Sequence, residues 1–372
     1  MDTKKNKIGI LTFHASHNYG SCLQAYALQK TIEKLGADTE IINFRTDRQR
    51  DMYAVFTKRK GIKYFIKNAT HLLYYNFLKK KHANFEAFIA NNYTLSAKEY
   101  KNYSQLEQEN FGYDAFVVGS DQIWNPIPKD FDMSYFLPFV KDKKKIAYAP
   151  SFGPFFEKID DEKLSIIANE VSKFDSISVR EISAKHGLEK YISKDVDVVV
   201  DPTLLLNKDE WAQLINEKPV VEGEYIFLYT LFSNPEINKV AKYLSKKWKT
   251  KVVVSNFTNQ HDVISCYEKK FDAGPKEFLN LICNAKFVLA TSFHGTVFSI
   301  LFNKPFFAIN GEKDNRISTL LNLTKLQSRT INMVNMDERE RMAFDTDFSM
   351  ANQLILEERE RSIKYLQTAL GL

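Results

Sequence analysis

The stretch Leu289–Phe302, LATSFHGTVFSILF, is the most apolar in the chain, and His294 sits near its middle. Its pattern reads as strand FVLATS, loop Ser292–Gly295 and helix TVFSILF. That places His294 at a strand's carboxyl end and a helix's amino end. Backbone N–H groups and the helix dipole at such a point favour an anion. Gly295 allows close backbone approach, and Ser292 and Thr296 add hydroxyls. The chemistry suits phosphate or carboxylate binding. The alternative is a histidine that caps the turn with its imidazole on a carbonyl.

Three further stretches carry reactive groups. In SISVRE, Arg180 ends a short strand; its guanidinium is either a bidentate partner for a carboxylate or phosphate, or half of an ion pair with Glu181 or a neighbour. In VVGSDQIWNP, Asp121 follows an apolar strand and is either a base toward a hydroxyl or a turn cap. Gln122 and Trp124 follow it, and the indole is placed to stack on a sugar. Asn18, Tyr19 and Gly20 form a polar loop that either lines a cleft or makes a plain turn.

The elements that must hold these residues have a regular rhythm. KIGILTF, HASHNYGS, CLQAYALQKTIEKLG and TEIINF read as strand, glycine loop, helix closed by Gly36, and strand. That is the opening of an open α/β sheet. Strand–loop units recur at DAFVVGSD, KIAYAPSFG, SISVRE and DVVVDP, the last ending on Asp201 and Pro202. From about residue 206 a second series follows: EYIFLYTL, PEINKVAKYLSKKW, TKVVVSNF, KEFLNLICNA, FVLATS, GTVFSILFN and KPFFAIN. Ligands of such sheets gather beyond the carboxyl ends of the strands, where the polar residues named above fall. The expected architecture is α/β, two Rossmann-like doubly wound domains facing a cleft.

Composition narrows the class. The chain has 372 residues, 44% hydrophobic and 26% charged, ordinary for a globular protein of two domains. The aromatic share of 13% suits large cores or sugar-stacking clefts. Cys22, Cys266 and Cys283 have no CxxC spacing, and the seven histidines show no metal-ligand spacing, so no disulfide framework and no metal site is expected. The apolar run Ile8–Phe13 is shorter than the roughly 7–15 residues of a signal-peptide core. The expectation is a cytoplasmic protein that does not span a membrane.

Charge is uneven. Between Met52 and Phe85 there is no Asp or Glu, and eight basic residues occur: Lys58, Arg59, Lys60, Lys63, Lys67, Lys79, Lys80 and Lys81. Removing them turns the net charge of +6 into −2. Interleaved aromatics leave two readings, a solvated helical insertion or a peripheral contact with an anionic membrane surface at the inner face. No nucleic acid is expected, because no recognition motif accompanies the charge.

In order along the chain, NYGSCLQAYAL (18–28), VVGSDQIWN (117–125), SVRE (178–181), DPTLLL (201–206) and TSFHGTVFSILFNKPF (291–306) resemble the polysaccharide pyruvyl transferase family. The resemblance covers roughly residues 8–321. It implies a GT-B-like two-domain fold and transfer of the enolpyruvyl group of phosphoenolpyruvate onto sugar hydroxyls as a ketal, with no other cofactor. The family's histidine motif falls on His294 and its strand-end arginine on Arg180; His294 is expected as catalytic acid or phosphate ligand, and Asp121, from its place after an apolar strand, as the base. Arg180, Ser292, Gly295, Thr296 and Arg316 are expected on the donor, and Asn18, Tyr19, Gly20, Gln122 and Trp124 on a sugar or lipid-linked glycan acceptor. Some members carry an arginine two residues before the histidine, where this chain has Ser292; Lys304 and Arg316 are the candidate replacements. The expected domains are 1–205 on the acceptor side, with a basic helical insertion at 52–90, then 206–348 on the donor side and a terminal helix at 349–372. Two other classes stay open: a sugar-nucleotide glycosyltransferase of cell-surface polysaccharide synthesis on the same fold, and a non-catalytic carbohydrate-binding protein.

Overall fold

A computed structural model describes residues 5–58, 60–215, 218–231, 235–256, 267–309, 313–331 and 336–372. Arg59 and Cys266 lie outside the described residues. The chain divides into two units: Met1–Phe65, Ile89–Leu206 and Glu357–Leu372 form the first, Ile66–Phe88 and Asn207–Leu356 the second.

The first unit holds β1 (Lys7–Leu11), β2 (Asp38–Phe44), β3 (Leu95–Tyr100), β4 (Ala115–Val118), β5 (Lys144–Ala147), β6 (Ser176–Val179) and β7 (Asp197–Val198). They form one seven-stranded sheet in the order β3-β2-β1-β4-β5-β6-β7, with every neighbouring pair parallel. The second unit holds β8 (Tyr225–Tyr229), β9 (Lys251–Val254), β10 (Glu268–Lys269), β11 (Phe287–Ala290), β12 (Phe306–Ile309) and β13 (Thr330–Ile331). Their order is β10-β9-β8-β11-β12-β13, again all parallel. The central strands AFVV, YIFLY, FVLA and FFAI are buried along their whole length, as strands covered by helices on both faces must be. In each sheet the strand order reverses once, between β1 and β4 and between β8 and β11. Loops leaving the strands at such a switch point diverge and open a crevice.

The first helix, Tyr19–Lys34, begins earlier than its apolar pattern suggests, because Asn18 caps it by accepting from Gly20 N and Ser21 N. Tyr19 and Gly20, expected in a loop, are therefore its first turn. Gly36, with φ +98°, follows its end in the left-handed conformation a helix stop favours.

The basic segment departs from expectation. It forms the helices Ile62–Leu73 and Tyr75–Asn92, and residues 66–88 belong to the second unit rather than to an insertion in the first. The reason is local pairing. Tyr74 packs edge-on against Phe271 at 5.6 Å, Lys80 Nζ pairs with Asp272 Oδ2 at 2.7 Å, and Asn84 Nδ2 donates to Asp272 O at 2.9 Å. The terminal helix, Ser349–Leu370, is also shared. Its second half joins the first unit through Arg359 Nε to Leu204 O (2.6 Å), Val200 N to Ser362 Oγ (3.1 Å) and Tyr365 OH to Ala147 O (2.9 Å). Among the described residues, no helix is long and apolar enough to cross a membrane.

Candidate functional site

In the second unit, polar residues collect at the carboxyl ends of β8, β9 and β11. The helix Phe293–Leu301 starts directly after β11 with Ser292 as N-cap, so His294 lies in its first turn and not in a preceding loop. Ser292 makes no side-chain cap bond. It pairs instead with the Tyr229 hydroxyl, which also meets the Asn256 side chain and whose pKa burial raises. Asn256 Nδ2 donates to Thr230 O at 3.1 Å. Its Oδ1 accepts from Lys81 Nζ at 3.0 Å, and Ser255 O lies 3.5 Å from the same ammonium. Burial lowers the Lys81 pKa to about 8. A helix amino end, two hydroxyls and a poorly hydrated cation thus share one chain of contacts at the switch point, and His294 follows Ser292 in the same first turn. That set can hold an anion and deliver a proton.

Gly295 has a packing task. A Cβ there would lie 2.9 Å from Ala290 Cβ and 3.0 Å from Tyr229 Cδ1, so glycine lets the helix seat on its strand. Thr296 is fully buried and its hydroxyl donates back to Ser292 O at 3.1 Å. Both were expected on a ligand; both serve the helix–strand joint.

The first unit has its own cluster at its own switch point. Asp121 has φ +64°, and its carboxylate accepts from Ser21 Oγ and from Gln122 N (2.8 Å). Gln24, fully buried in the Tyr19–Lys34 helix, donates to Thr12 Oγ1 and accepts from Ser120 N, both at 3.0 Å, tying helix, β1 and the 119–121 loop together. Gly119, φ +113°, permits the loop's approach: a Cβ there would overlap Tyr148 O. Tyr53, partly buried, bonds the Ser16 side chain; burial and then the charge of Asp130 raise its pKa. Burial also raises Asp130, and the charge of Asp121 adds to this.

Other expected site residues have different roles. Arg180 is 4% exposed; Nη1 pairs with Asp201 Oδ2 and Nε with Glu181 Oε1 at 3.3 Å. Burial lowers its pKa, and the charges of Asp201, Glu181 and Asp121 outweigh that and leave it raised. Ser120 Oγ reaches Asp201 Oδ2 (3.4 Å) and Ser151 Oγ reaches Glu181 Oε1 (2.5 Å), so the ion pair braces the loop that carries Asp121 and the loop after β5 beside it. A guanidinium at a nearly dry strand end needs such carboxylates. Trp124 is core: it stacks on Phe136 at 5.5 Å and 11°, meets Phe152 and Phe174 edge-on, and has no exposed surface for a sugar. Tyr19 and Gly20 are buried in the helix; Asn18 and Gln122 keep partial exposure. Lys81, Tyr229, Asn256 and Ser21 join these two clusters without being singled out by the sequence.

The family model for polysaccharide pyruvyl transferase matches residues 18–312. The chain belongs to the polysaccharide pyruvyl transferase family. No curated protein matches the sequence. Among solved structures, the S. aureus MnaA–UDP co-structure aligns over 99% of this chain and 98% of that one, at 13% identity and TM-score 0.54. UDP-N-acetylglucosamine 2-epimerase from Rickettsia bellii aligns over 98% of both chains, at 10% identity and TM-score 0.52. These likenesses concern the fold, which is α/β and GT-B-like as expected.

Within this transferase family, the replacement for the arginine missing at Ser292 needs revising. Lys304 precedes β12 and so lies at the amino end of that strand, opposite the end where His294 sits. Arg316 pairs bidentately with Asp314, the cap of its own helix, at 2.9 and 2.6 Å. Lys81 brings a cation to the carboxyl end of β9 through Asn256.

Proposed function

We propose that this pyruvyl transferase moves the enolpyruvyl group of phosphoenolpyruvate onto two hydroxyls of one sugar, in a polysaccharide or a lipid-linked oligosaccharide. The observation that carries the reading is His294 in the first turn of the helix that Ser292 caps, with Ser292 linked through Tyr229 and Asn256 to Lys81. Phosphoenolpyruvate brings a carboxylate and a phosphate, and this group supplies a helix end, hydroxyls and a cation for them.

His294 donates a proton to the methylene carbon, which becomes a methyl group and leaves an oxocarbenium at the carbon bearing phosphate. One sugar hydroxyl adds there and loses its proton to a base, for which Asp121 is the candidate. Phosphate departs with its C–O bond electrons, and the second hydroxyl closes the ring and gives its proton to His294, restoring the acid. The products are a pyruvate ketal and inorganic phosphate, and no further cofactor enters the balance. Lipid-linked acceptors would put this reaction at a membrane surface on the cytoplasmic side.

The test is thermal stabilisation by phosphoenolpyruvate and by UDP, followed by phosphate release with a sugar acceptor. A donor at about 100 times its Kd stabilises by about 2.7 kcal/mol. His294→Gln is expected to keep the fold and lose ~10²–10⁴-fold in turnover. Stabilisation by UDP alone, or a variant that retains more than about a third of turnover where an acid catalyst predicts that loss, overturns the assignment.

A further inference from the structure

The helix Ile62–Leu73 turns its apolar side outward. Ile62, Phe65, Ile66, Leu72 and Leu73 are 82%, 75%, 51%, 66% and 80% exposed. At ~100° per residue these five fall on one stripe about 120° wide. Tyr64, Lys67, Asn68 and His71, on the rest of the circumference, are less exposed. A helix on the surface of a globular protein shows the reverse arrangement, and contiguous exposed apolar surface marks a contact site. The helix is nonetheless well started: Gly61, φ +124°, offers its carbonyl to Tyr64 N and Phe65 N, both at 3.0 Å.

Charge identifies the occupant. The surrounding sequence, Met52 to Phe85, has no acidic residue. Lys80 and Lys81 are engaged by Asp272 and Asn256, so they are not the surface charges, whereas Lys58, Lys60 and Lys79 are exposed. Exposed Tyr75 and Phe77 begin the next helix. A second copy of this chain would bring the same acid-free, lysine-rich segment against itself, and like charges oppose that pairing. An anionic headgroup layer complements both features: acyl chains take the stripe and phosphates take the lysines.

We propose that the Ile62–Leu73 helix lies in the interface of an anionic phospholipid bilayer and holds the protein there. The contact rests on the preceding reading only for its use, access to lipid-carried glycans. Vesicle binding is measured without donor or acceptor, and phosphate release with a soluble acceptor, so either can fail alone.

The test is flotation of the full chain with vesicles of phosphatidylcholine, alone or mixed with phosphatidylglycerol. Binding is expected only to the mixed vesicles. Salt weakens it without abolishing it, because screening acts on the lysines and not on the stripe. The variant I62S/F65S/L72S/L73S lowers the bound-to-free ratio at least ~10-fold with its melting temperature unchanged, since the side chains it alters are exposed. K58Q/K60Q/K79Q reduces the preference for anionic vesicles. The proposal is overturned if the serine variant floats like the parent, if both vesicle types bind equally, or if neither binds. In the last case, a mass that rises with concentration would assign the stripe to a second copy.

Discussion

Lys81 Nζ donates to Asn256 Oδ1 at 3.0 Å, a contact between residues 175 positions apart that brings an ammonium to the carboxyl end of β9. Two residues earlier in the same helix, Lys79 is exposed to solvent; Lys81 is partly withdrawn from it and its pKa falls to about 8. A cation that has already lost part of its hydration gives up little more when an anion arrives, and it acts through a lower dielectric.

Replacing Lys81 with Met removes that charge. A hydrogen bond to a charged group contributes about 1.5–3 kcal/mol, so kcat/KM for phosphoenolpyruvate is expected to fall about 10–150-fold. In the parent, kcat/KM is expected to decline as pH rises through about 8, the lowered pKa of Lys81. Lys81→Arg keeps its charge and flattens that limb. Stability moves the other way. The folded pKa lies below the ordinary lysine value of ~10.4, so the fold disfavours the ammonium at neutral pH, and that penalty fades as pH rises from about 8 toward 10.4. Lys81→Met is therefore expected to melt no lower than the parent at pH 7, with the difference narrowing in alkaline buffer. A variant that melts lower and binds donor normally makes Lys81 a strut.

Arg180 gives the opposite signature. Its side chain and those of Asp201 and Glu181 are 3%, 0% and 2% exposed. Arg180→Met strands two carboxylates and is expected to destabilise by about 3–5 kcal/mol. At ~2–4 °C per kcal/mol, that lowers the melting temperature by roughly 6–20 °C. The folded fraction keeps its KM for phosphoenolpyruvate. An unchanged melting curve with a raised donor KM would return the guanidinium to the donor.

The alternation of strands and helices was legible because the central strands are continuous apolar runs, and the helix Pro235–Trp248 has the bounds its periodicity suggests. Edge strands were not. β3 carries Lys98 and Glu99 on its exposed edge, and β10 and β13 are two residues each, too short for any period to register. In the two clusters, one in each unit, His294 and Asp121 stood out because each follows an apolar strand. Lys81 did not: nothing in a run of three lysines says which one the helix turns toward Asn256. Trp124 and Arg180 were readable by type but not by task. Burial decides between a stacking platform and a core ring, or between a ligand clamp and a brace, and burial follows from neighbours distant in sequence.

Trp124 separates the two tasks by substitution. Stacked on Phe136 and enclosed by Phe152 and Phe174, it is expected to cost about 3–5 kcal/mol as Trp124→Ala. Trp124→Phe is expected to keep the acceptor KM within about twofold, because a core ring contributes packing and not sugar contact. Gln122→Ala, at the partly exposed neighbour, is expected to cost under ~0.5 kcal/mol. A Trp124→Phe protein that melts normally and loses acceptor affinity would put the indole back on the sugar.

Asp121 offers the sharpest test in the first unit, since its backbone and its carboxylate can be separated. Its φ of +64° suits Asn nearly as well as Asp but not Ala, so Asp121→Asn keeps the turn while removing the negative charge. The amide oxygen can still accept from Ser21 Oγ, or from Gln122 N as the carboxylate does. With geometry held, a base is expected to lose ~10²–10⁴-fold in turnover and a cap almost nothing. Ser21→Ala is the companion variant: it takes a donor from the carboxylate without touching its charge, so it should leave turnover far closer to the parent. Phosphate release over a pH series, with melting curves for both variants, reads the outcome. Turnover within about threefold for a well-folded Asp121→Asn, against the loss expected of a base, would leave Asp121 as the cap of its turn.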